Sequence, residues 1–271
     1  MVTSKCQNVT IAPPSLEYLE GIDDATLVLT LIAIFLAVAT IIFCIFQLKT
    51  IQVYVSLEHR RNYLYWLSGI VPFTAVCCVV GACIPRCLPV MKVFILLYFS
   101  RALFTFVDLV VDLFGGYKAM SRHLQDNGES ISLAIPPCCC LKCVPKISPT
   151  VKNLKLVSLL VIQNAFIRII LLFITVVALM DNRGNLQALG PLYAIADVIN
   201  MISPLLAMYG CQIFRKLAER PLEHFCIPLT FLFIQLLILL HNIQGPIFDI
   251  FVKAQVITCS GNMPAGSRSS G

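Results

Sequence analysis

The stretch ATLVLTLIAIFLAVATIIFCIF, residues 25–46, decides the fold class of this chain. It contains no charged residue, and it is long enough for a transmembrane helix, which needs roughly 20 mostly apolar residues. Asp23 and Asp24 precede it and are suited to cap the amino end of a helix. The sequence therefore predicts that the chain crosses a membrane first at Ala25–Phe46.

Five further stretches meet the same requirement for length and apolar content. They run over about Tyr63–Cys83, Val90–Phe114, Leu154–Met180, Leu186–Ile213 and Phe225–His241, the last with a partly polar continuation through Val252. Hydrophobic residues make up 58% of the 271 residues and charged residues only 13%. Apolar content concentrated in long segments excludes a soluble protein, and it argues against a β-barrel of short alternating strands. The predicted fold is all-α, a polytopic helical transmembrane bundle with six spans.

Lysine and arginine positions predict the orientation of the bundle. With the N-terminus outside, the cytosolic loops hold twelve basic residues: Lys49, Arg60, Arg61, Lys118, Arg122, Lys142, Lys146, Lys152, Lys155, Arg215, Lys216 and Arg220. The outer segments hold six: Lys5, Arg86, Lys92, Arg183, Lys253 and Arg268. We therefore expect the N-terminus outside, with the net charge of +6 facing anionic lipid of the inner leaflet rather than a nucleic acid.

This orientation divides the chain into three parts. We expect an extracellular segment at residues 1–24, a transmembrane domain at 25–252 with a cytosolic cysteine-rich loop at 117–153, and a truncated extracellular tail at 253–271. Asn8 begins an N-glycosylation triplet, Asn-Val-Thr, that would lie on the outside.

Four cysteines are clustered in the predicted cytosolic loop: Cys138, Cys139, Cys140 and Cys143. Disulfides are disfavoured in that reducing compartment. Zinc would need a second ligand pair at suitable spacing, and none is present in the sequence. Cysteines beside a membrane and close to lysines favour S-palmitoylation, with unmodified thiols as the main alternative and a metal site as the lesser one.

The third span carries Arg101, Thr105, Asp108 and Asp112, which lie within roughly 60° of one another on one helix face. Arg101 and Asp108 are on the order of 10 Å apart along that helix, so each needs a partner elsewhere. Asp112 lies near enough to the inner surface to be solvated. Polar residues on the fourth and fifth predicted spans could supply partners: Gln163, Asn164, Arg168, Asp197 and Asn200.

Two roles remain open for these intramembrane groups. Charges at this depth are costly and often line a solute path. Interhelical pairs such as Arg168–Asp197 or Arg168–Asp108 would satisfy the same physics without touching a solute. For a solute path, the candidate substrate-binding residues are Arg101, Thr105, Asp108, Arg168, Asp197 and Asn200, with the two arginines suited to carboxylate or sulfate. The sequence has no motif for nucleotide hydrolysis or other catalysis, and we expect no enzyme activity, cofactor or metal.

Several motifs in the chain resemble a known family. Val110–Gly116, Pro136–Cys140, Leu236–Leu240 with Gln244, Pro246–Phe248 and Ala254–Ser260 are together similar to the alpha subunit of the organic solute transporter. The resemblance covers nearly the whole chain. Two departures are the interruption of the cysteine run by Leu141-Lys142 and the position of the seventh span of the family, which would follow at about residue 270.

The resemblance implies a seven-helix, palmitoylated subunit at the basolateral plasma membrane. Such a subunit pairs with a single-pass beta subunit, and a homo-oligomer is also compatible. It moves bile acids and conjugated steroids by facilitated diffusion. The alternative is a non-transporting, receptor-like or trafficking subunit, retained in the endoplasmic reticulum if truncation blocks export.

Overall fold

A computed structural model describes residues 24–84, 87–131, 147–181, 190–219, 221–222 and 227–253. Within these ranges the chain forms eight helices and no strand. They are α1 (Asp24–Tyr54), α2 (Glu58–Ser68), α3 (Ile70–Cys83), α4 (Leu88–Leu113), α5 (Tyr117–Asp126), α6 (Val151–Asp181), α7 (Gly190–Ala218) and α8 (Ile227–Lys253).

Five segments of the described chain are helical, long and apolar enough to cross a membrane. They are Thr26–Tyr54, Glu58–Cys83, Val90–Leu113, Val151–Ile174 and Ile227–Gln244. The predicted class, a helical membrane bundle, is thereby confirmed. Helix α7 covers most of the fifth predicted span, and the count of six spans and the orientation stay predictions.

The helix of the second predicted span begins five residues earlier than expected, at Glu58 rather than Tyr63. Glu58 lies in its first turn, where a carboxylate interacts favourably with the helix dipole. The backbone continues through Gly69 into α3, and Phe73 N–H donates to the Gly69 carbonyl at 3.1 Å. As a result, Arg60, which the sequence placed in a loop, lies on a helix, as does the neighbouring His59.

The described helices divide between two compact units, and α4 and α8 contribute to both. The first unit contains α1, α3, α4 up to Leu96 and α8 from Leu236. Small residues, among them Ala37 and Cys77, are buried in it. Most of α1 is exposed, with Phe35 at 72%. Such an apolar exterior is expected of a helix whose solvent is lipid.

The second unit contains α2, α4 from Leu97, α5, α6, α7 and α8 up to Gln235. Its centre is filled by large side chains such as Phe106 and Phe231, whose ring centroids are 5.2 Å apart. Helices α6 and α7 approach closely at Gly210, where an added Cβ would lie 2.8 Å from Val161 Cγ2. Small residues permit this kind of backbone approach between membrane helices.

Helix α4 ends in the glycine pair that formed part of the resemblance. Gly115 and Gly116 have φ of 83° and 100°, a backbone region that side chains with a Cβ rarely adopt. The Gly116 N–H donates to the Val111 carbonyl at 2.9 Å, which satisfies one of the free carbonyls at the helix end. The motif thus has a structural reason, because it stops α4 and allows α5 to begin at once.

The predicted loop at 117–153 contains helix α5, which the sequence analysis did not anticipate. Met120 and Leu124 lie one turn apart and are fully buried. Tyr117 Oη donates to Ser158 Oγ on α6 at 3.1 Å, and burial raises the pKa of Tyr117. Beyond α5, an antiparallel bridge joins Ile131 to Ile147. The cysteine cluster lies between these two residues and is outside the described part of the chain.

Candidate functional site

The site is built around Arg101, on the part of α4 that belongs to the second unit. Arg101 lines a pocket of about 340 Å³ together with five residues of α2: His59, Asn62, Tyr63, Tyr65 and Trp66. Residues 59, 62–63 and 66 recur at helical spacing, so α2 presents one polar and aromatic face to the pocket. The result is a single guanidinium in a cavity with largely aromatic walls.

Aromatic rings surround the Arg101 side chain. Its Cζ lies 5.6 Å from the centroid of the Trp66 ring and 5.3 Å from that of Phe104. Both separations are within the range of cation–π attraction. Among the described residues, the guanidinium has no ion pair and donates no hydrogen bond. Its N–H groups are therefore not occupied by a described carboxylate.

Asp108 lies two turns further along α4 and is half-buried. The Arg101 guanidinium acts on its carboxylate through space but forms no salt bridge with it. Two charged residues of the predicted polar face of α4, Arg101 and Asp108, thus interact electrostatically. Asp108 itself does not line the pocket among the described residues.

Asp112, which we expected to be solvated, instead pairs with Arg60 on α2. Arg60 Nε lies 3.2 Å from Asp112 Oδ2, and the two side chains are 25% and 29% exposed. An ion pair this accessible contributes less than about 1 kcal/mol. It links α2 to the end of α4, and Arg60 directly follows the pocket residue His59 on α2.

Three further candidate residues, Thr105, Arg168 and Asn200, do not line the pocket. Thr105 is fully buried on α4, and its Oγ1 has no hydrogen-bond partner among the described residues. Arg168, on α6, likewise has a buried Nε without a partner there, and it does not pair with Asp108. Asn200 is half-buried on α7. The side chain of Asp197 lies outside the described residues, as does Asn8, so an Arg168–Asp197 pair stays a prediction.

A buried hydrogen-bond network joins three helices of the second unit. Asn164 Nδ2 donates to Ser100 Oγ at 2.8 Å, and Ser203 Oγ donates to Asn164 Oδ1 at 3.0 Å. All three residues are at most 2% exposed. Asn164 was recognised in the sequence only as a polar residue of a span. Its partner Ser100 directly precedes Arg101 on α4. The network therefore supports the helix that carries the pocket arginine.

We expect Asn164→Leu to destabilise the helix packing. The substitution removes the two hydrogen bonds that Asn164 makes with the Ser100 and Ser203 hydroxyls, and interhelical hydrogen bonds in membranes are worth about 0.6 kcal/mol on average, up to about 1.7. The thermal melting temperature of the purified protein in detergent should fall measurably. Gln163→Leu is the matched control, because Gln163 has no hydrogen bond among the described residues. Equal melting temperatures for the two variants would contradict a stabilising network.

A second interhelical bond lies between α7 and α8. Gln212 Nε2 donates to Gln235 Oε1 at 3.2 Å. For metals, no group of three or more His, Cys, Asp and Glu side chains is placed to hold an ion within the described ranges. The four clustered cysteines are not covered by that statement.

Sequence reasoning missed the contribution of α2 to the site. Tyr63, Tyr65 and Trp66 lie in the second predicted span and were assigned no role from the sequence. Trp66 is the chain's one tryptophan, and aromatic residues recur around it at positions that share a helix face. That stripe was the available signal. It could not show, however, that the stripe meets Arg101.

Comparison with known proteins bears on this arrangement of membrane helices. The family described as Organic solute transporter Ostalpha matches residues 29–271. The chain belongs to the Ostalpha family. It is therefore a subunit of a solute transporter and a multi-pass membrane protein. The resemblance found in the sequence is confirmed.

Curated members of the Ostalpha family are similar over most of the chain. Organic solute transporter alpha-like protein 3 of Caenorhabditis elegans is 30% identical over 264 residues, which cover 95% of this chain and 74% of that protein. Alpha-like protein 1 of the same organism is 28% identical, over 82% of this chain and 58% of its own length. Organic solute transporter subunit alpha of Homo sapiens is 27% identical, over 95% and 76%. No solved structure matches the chain.

Proposed function

We propose that this Ostalpha chain carries amphipathic organic anions, such as bile acids and conjugated steroids, across the basolateral plasma membrane by facilitated diffusion. In this proposal it acts with a single-pass beta subunit. The observation that supports it most directly is Arg101, which lines an aromatic pocket without a carboxylate partner among the described residues.

The chemistry of the pocket fits a solute with a charged end and an apolar body. The guanidinium offers a planar set of N–H donors that match carboxylate and sulfate oxygens. Tyr63, Tyr65 and Trp66 supply apolar surface beside it. A volume of about 340 Å³ lies at the lower end of the range of about 300–1,000 Å³ for ligand pockets. The cavity would therefore hold the charged end and part of the apolar body.

The proposal predicts saturable uptake of a labelled steroid sulfate by cells that express the chain with a beta subunit. Flux should follow the solute gradient in both directions, because facilitated diffusion needs no other energy source. Surface biotinylation is the control that shows export. If a chain that is bound to the beta subunit and present at the surface gave no flux above background, a receptor-like or trafficking role would replace the transport function.

In the proposed orientation, Cys138, Cys139, Cys140 and Cys143 face the cytosol, and we propose that they carry palmitate. Hydroxylamine-dependent acyl exchange should label the wild type and should not label a variant with all four replaced by Ser. Cys78→Ser, an exposed cysteine of α3, is the matched control and should keep the label. An unlabelled wild type, or label that survives the fourfold replacement, would argue against acylation here.

A further inference from the structure

We propose that Trp66 is a positioning residue, whose ring is held by Tyr98 and fixes the Arg101 guanidinium for a bidentate bond to a solute oxyanion. This inference deepens the proposed function and rests on it. It assigns the selectivity of the pocket for sulfate or carboxylate groups to an aromatic brace and not to the arginine alone.

The aromatic brace consists of Trp66 on α2 and Tyr98 on α4, which contact each other beside Arg101. Tyr98, Arg101 and Phe104 follow one another at intervals of three residues, so they lie on one side of the helix. Tyr98 Oη donates to the Trp66 carbonyl at 2.9 Å, and the Tyr98 and Trp66 rings lie 5.5 Å apart, tilted by 45°. The same Trp66 ring lies below the Arg101 guanidinium. Trp66 is therefore held at its backbone and its ring before any solute arrives.

The brace leaves the arginine free to bind an anion. Aromatic rings attract a cation through their faces, whereas the N–H donors of a guanidinium point outward in its own plane. A carboxylate partner would occupy those donors, but the rings do not. Because the side chain is already oriented, less conformational entropy is lost when an oxyanion binds. Two parallel N–H···O bonds to sulfate or carboxylate become the favoured geometry.

The chain also provides its own probe of this contact, because Trp66 is the one tryptophan in 271 residues. Its ring is 44% exposed and close to the guanidinium. An anion that binds Arg101 changes the electric field at the indole. Tryptophan emission of the purified protein therefore reports binding at this site independently of flux.

The first test is an emission titration of the purified chain in phosphatidylcholine vesicles, with a beta subunit whose tryptophans are replaced by Phe so that Trp66 is the emitting residue. A steroid monosulfate should give a saturable change at a concentration roughly tenfold or more below that of the neutral parent steroid, since only the former engages the charged donors. Arg101→Gln should abolish this preference. The proposal is overturned if the preference survives that variant. It is also overturned if emission responds to added phosphatidylserine and not to the sulfate, because a lipid headgroup would then be the ligand.

The second test separates positioning from mere packing. For sulfate uptake, Trp66→Leu should raise KM roughly tenfold with little change in the maximal rate, whereas Trp66→Phe, which retains a ring, should stay within about threefold. Tyr98→Phe loses only the hydroxyl, and its KM should lie between those of the wild type and Trp66→Leu. In the Arg101→Gln background, Trp66→Leu should cause no further rise in the KM for sulfate uptake. Losses that multiply would show independent structural roles and would refute the proposal.

The positioning role and the transport function can be contradicted independently of each other. Selective binding of the sulfate without flux would support the positioning role and would remove the transport function. Flux of the sulfate without any emission response would do the opposite, because the carried anion would then bind elsewhere.

Discussion

Replacement of Arg101 by Gln should lower the uptake of a steroid sulfate by about 10- to 100-fold, because hydrogen bonds to a charged group contribute about 1.5–3 kcal/mol. Gln is shorter than Arg and keeps two N–H donors on its amide nitrogen, but it lacks the charge. The guanidinium forms no salt bridge among the described residues, so its removal breaks no direct ion pair there. The loss should therefore appear in transport more than in folding.

Two further variants make this result specific. Arg101→Lys should retain part of the activity, because the ammonium keeps the charge but not the planar donor pair. Arg122→Gln is the matched control, since Arg122 is exposed on α5 and does not line the pocket. Uptake by Arg101→Gln at the wild-type rate, with equal surface expression, would exclude this pocket as the anion site.

Replacement of Gly210 by Val should destabilise the second unit by about 2–3 kcal/mol, at the upper end of the usual cost of overpacking. A Cβ at this position would lie 2.8 Å from Val161 Cγ2 and 3.2 Å from the Val157 carbonyl oxygen. The carbonyl belongs to the backbone of α6, so the two helices must separate. Relief of the glycine penalty in a helix, about 1 kcal/mol, offsets only part of that cost.

The measurement is thermal unfolding of the detergent-purified protein, followed by the loss of its monodisperse fraction. Leu205→Val on the same helix is the control, because Leu205 is 49% exposed. Gly210→Ala should be milder and should be partly rescued by Val161→Ala, which removes the nearer atom. If Gly210→Val and Leu205→Val unfold at the same temperature, the close approach of α6 and α7 does not stabilise the protein.

Sequence reasoning was most successful for α1, α4, α6 and α8. Each of these helices overlaps one predicted span and differs from it only in where the helix begins or ends. Long apolar runs determine these helices locally, because every backbone polar group inside a bilayer must be satisfied within its own segment. It failed for α5 and for the start of α2. Both contain charged residues at the membrane edge, where hydropathy no longer separates a helix from a loop.

The candidate site shows the same division. Helical periodicity correctly indicated that Arg101 and Asp108 share a face of α4, since that relation depends on one helix alone. It could not show that Asp112 pairs with Arg60, or that Asn164 bonds Ser100 and Ser203. These contacts depend on how neighbouring helices are rotated, and no single helix contains that information.

By itself, the sequence determined that this chain is a helical membrane protein, and it showed the family through Gly115-Gly116 and the motifs around it. Only the tertiary structure decided that Trp66, and not a carboxylate, meets Arg101. The physical reason is that lipid tails and helix interfaces are similarly apolar, so hydropathy does not specify which face of a span turns inward. Packing against α2 makes that choice, and it turns an isolated intramembrane charge into a candidate anion site.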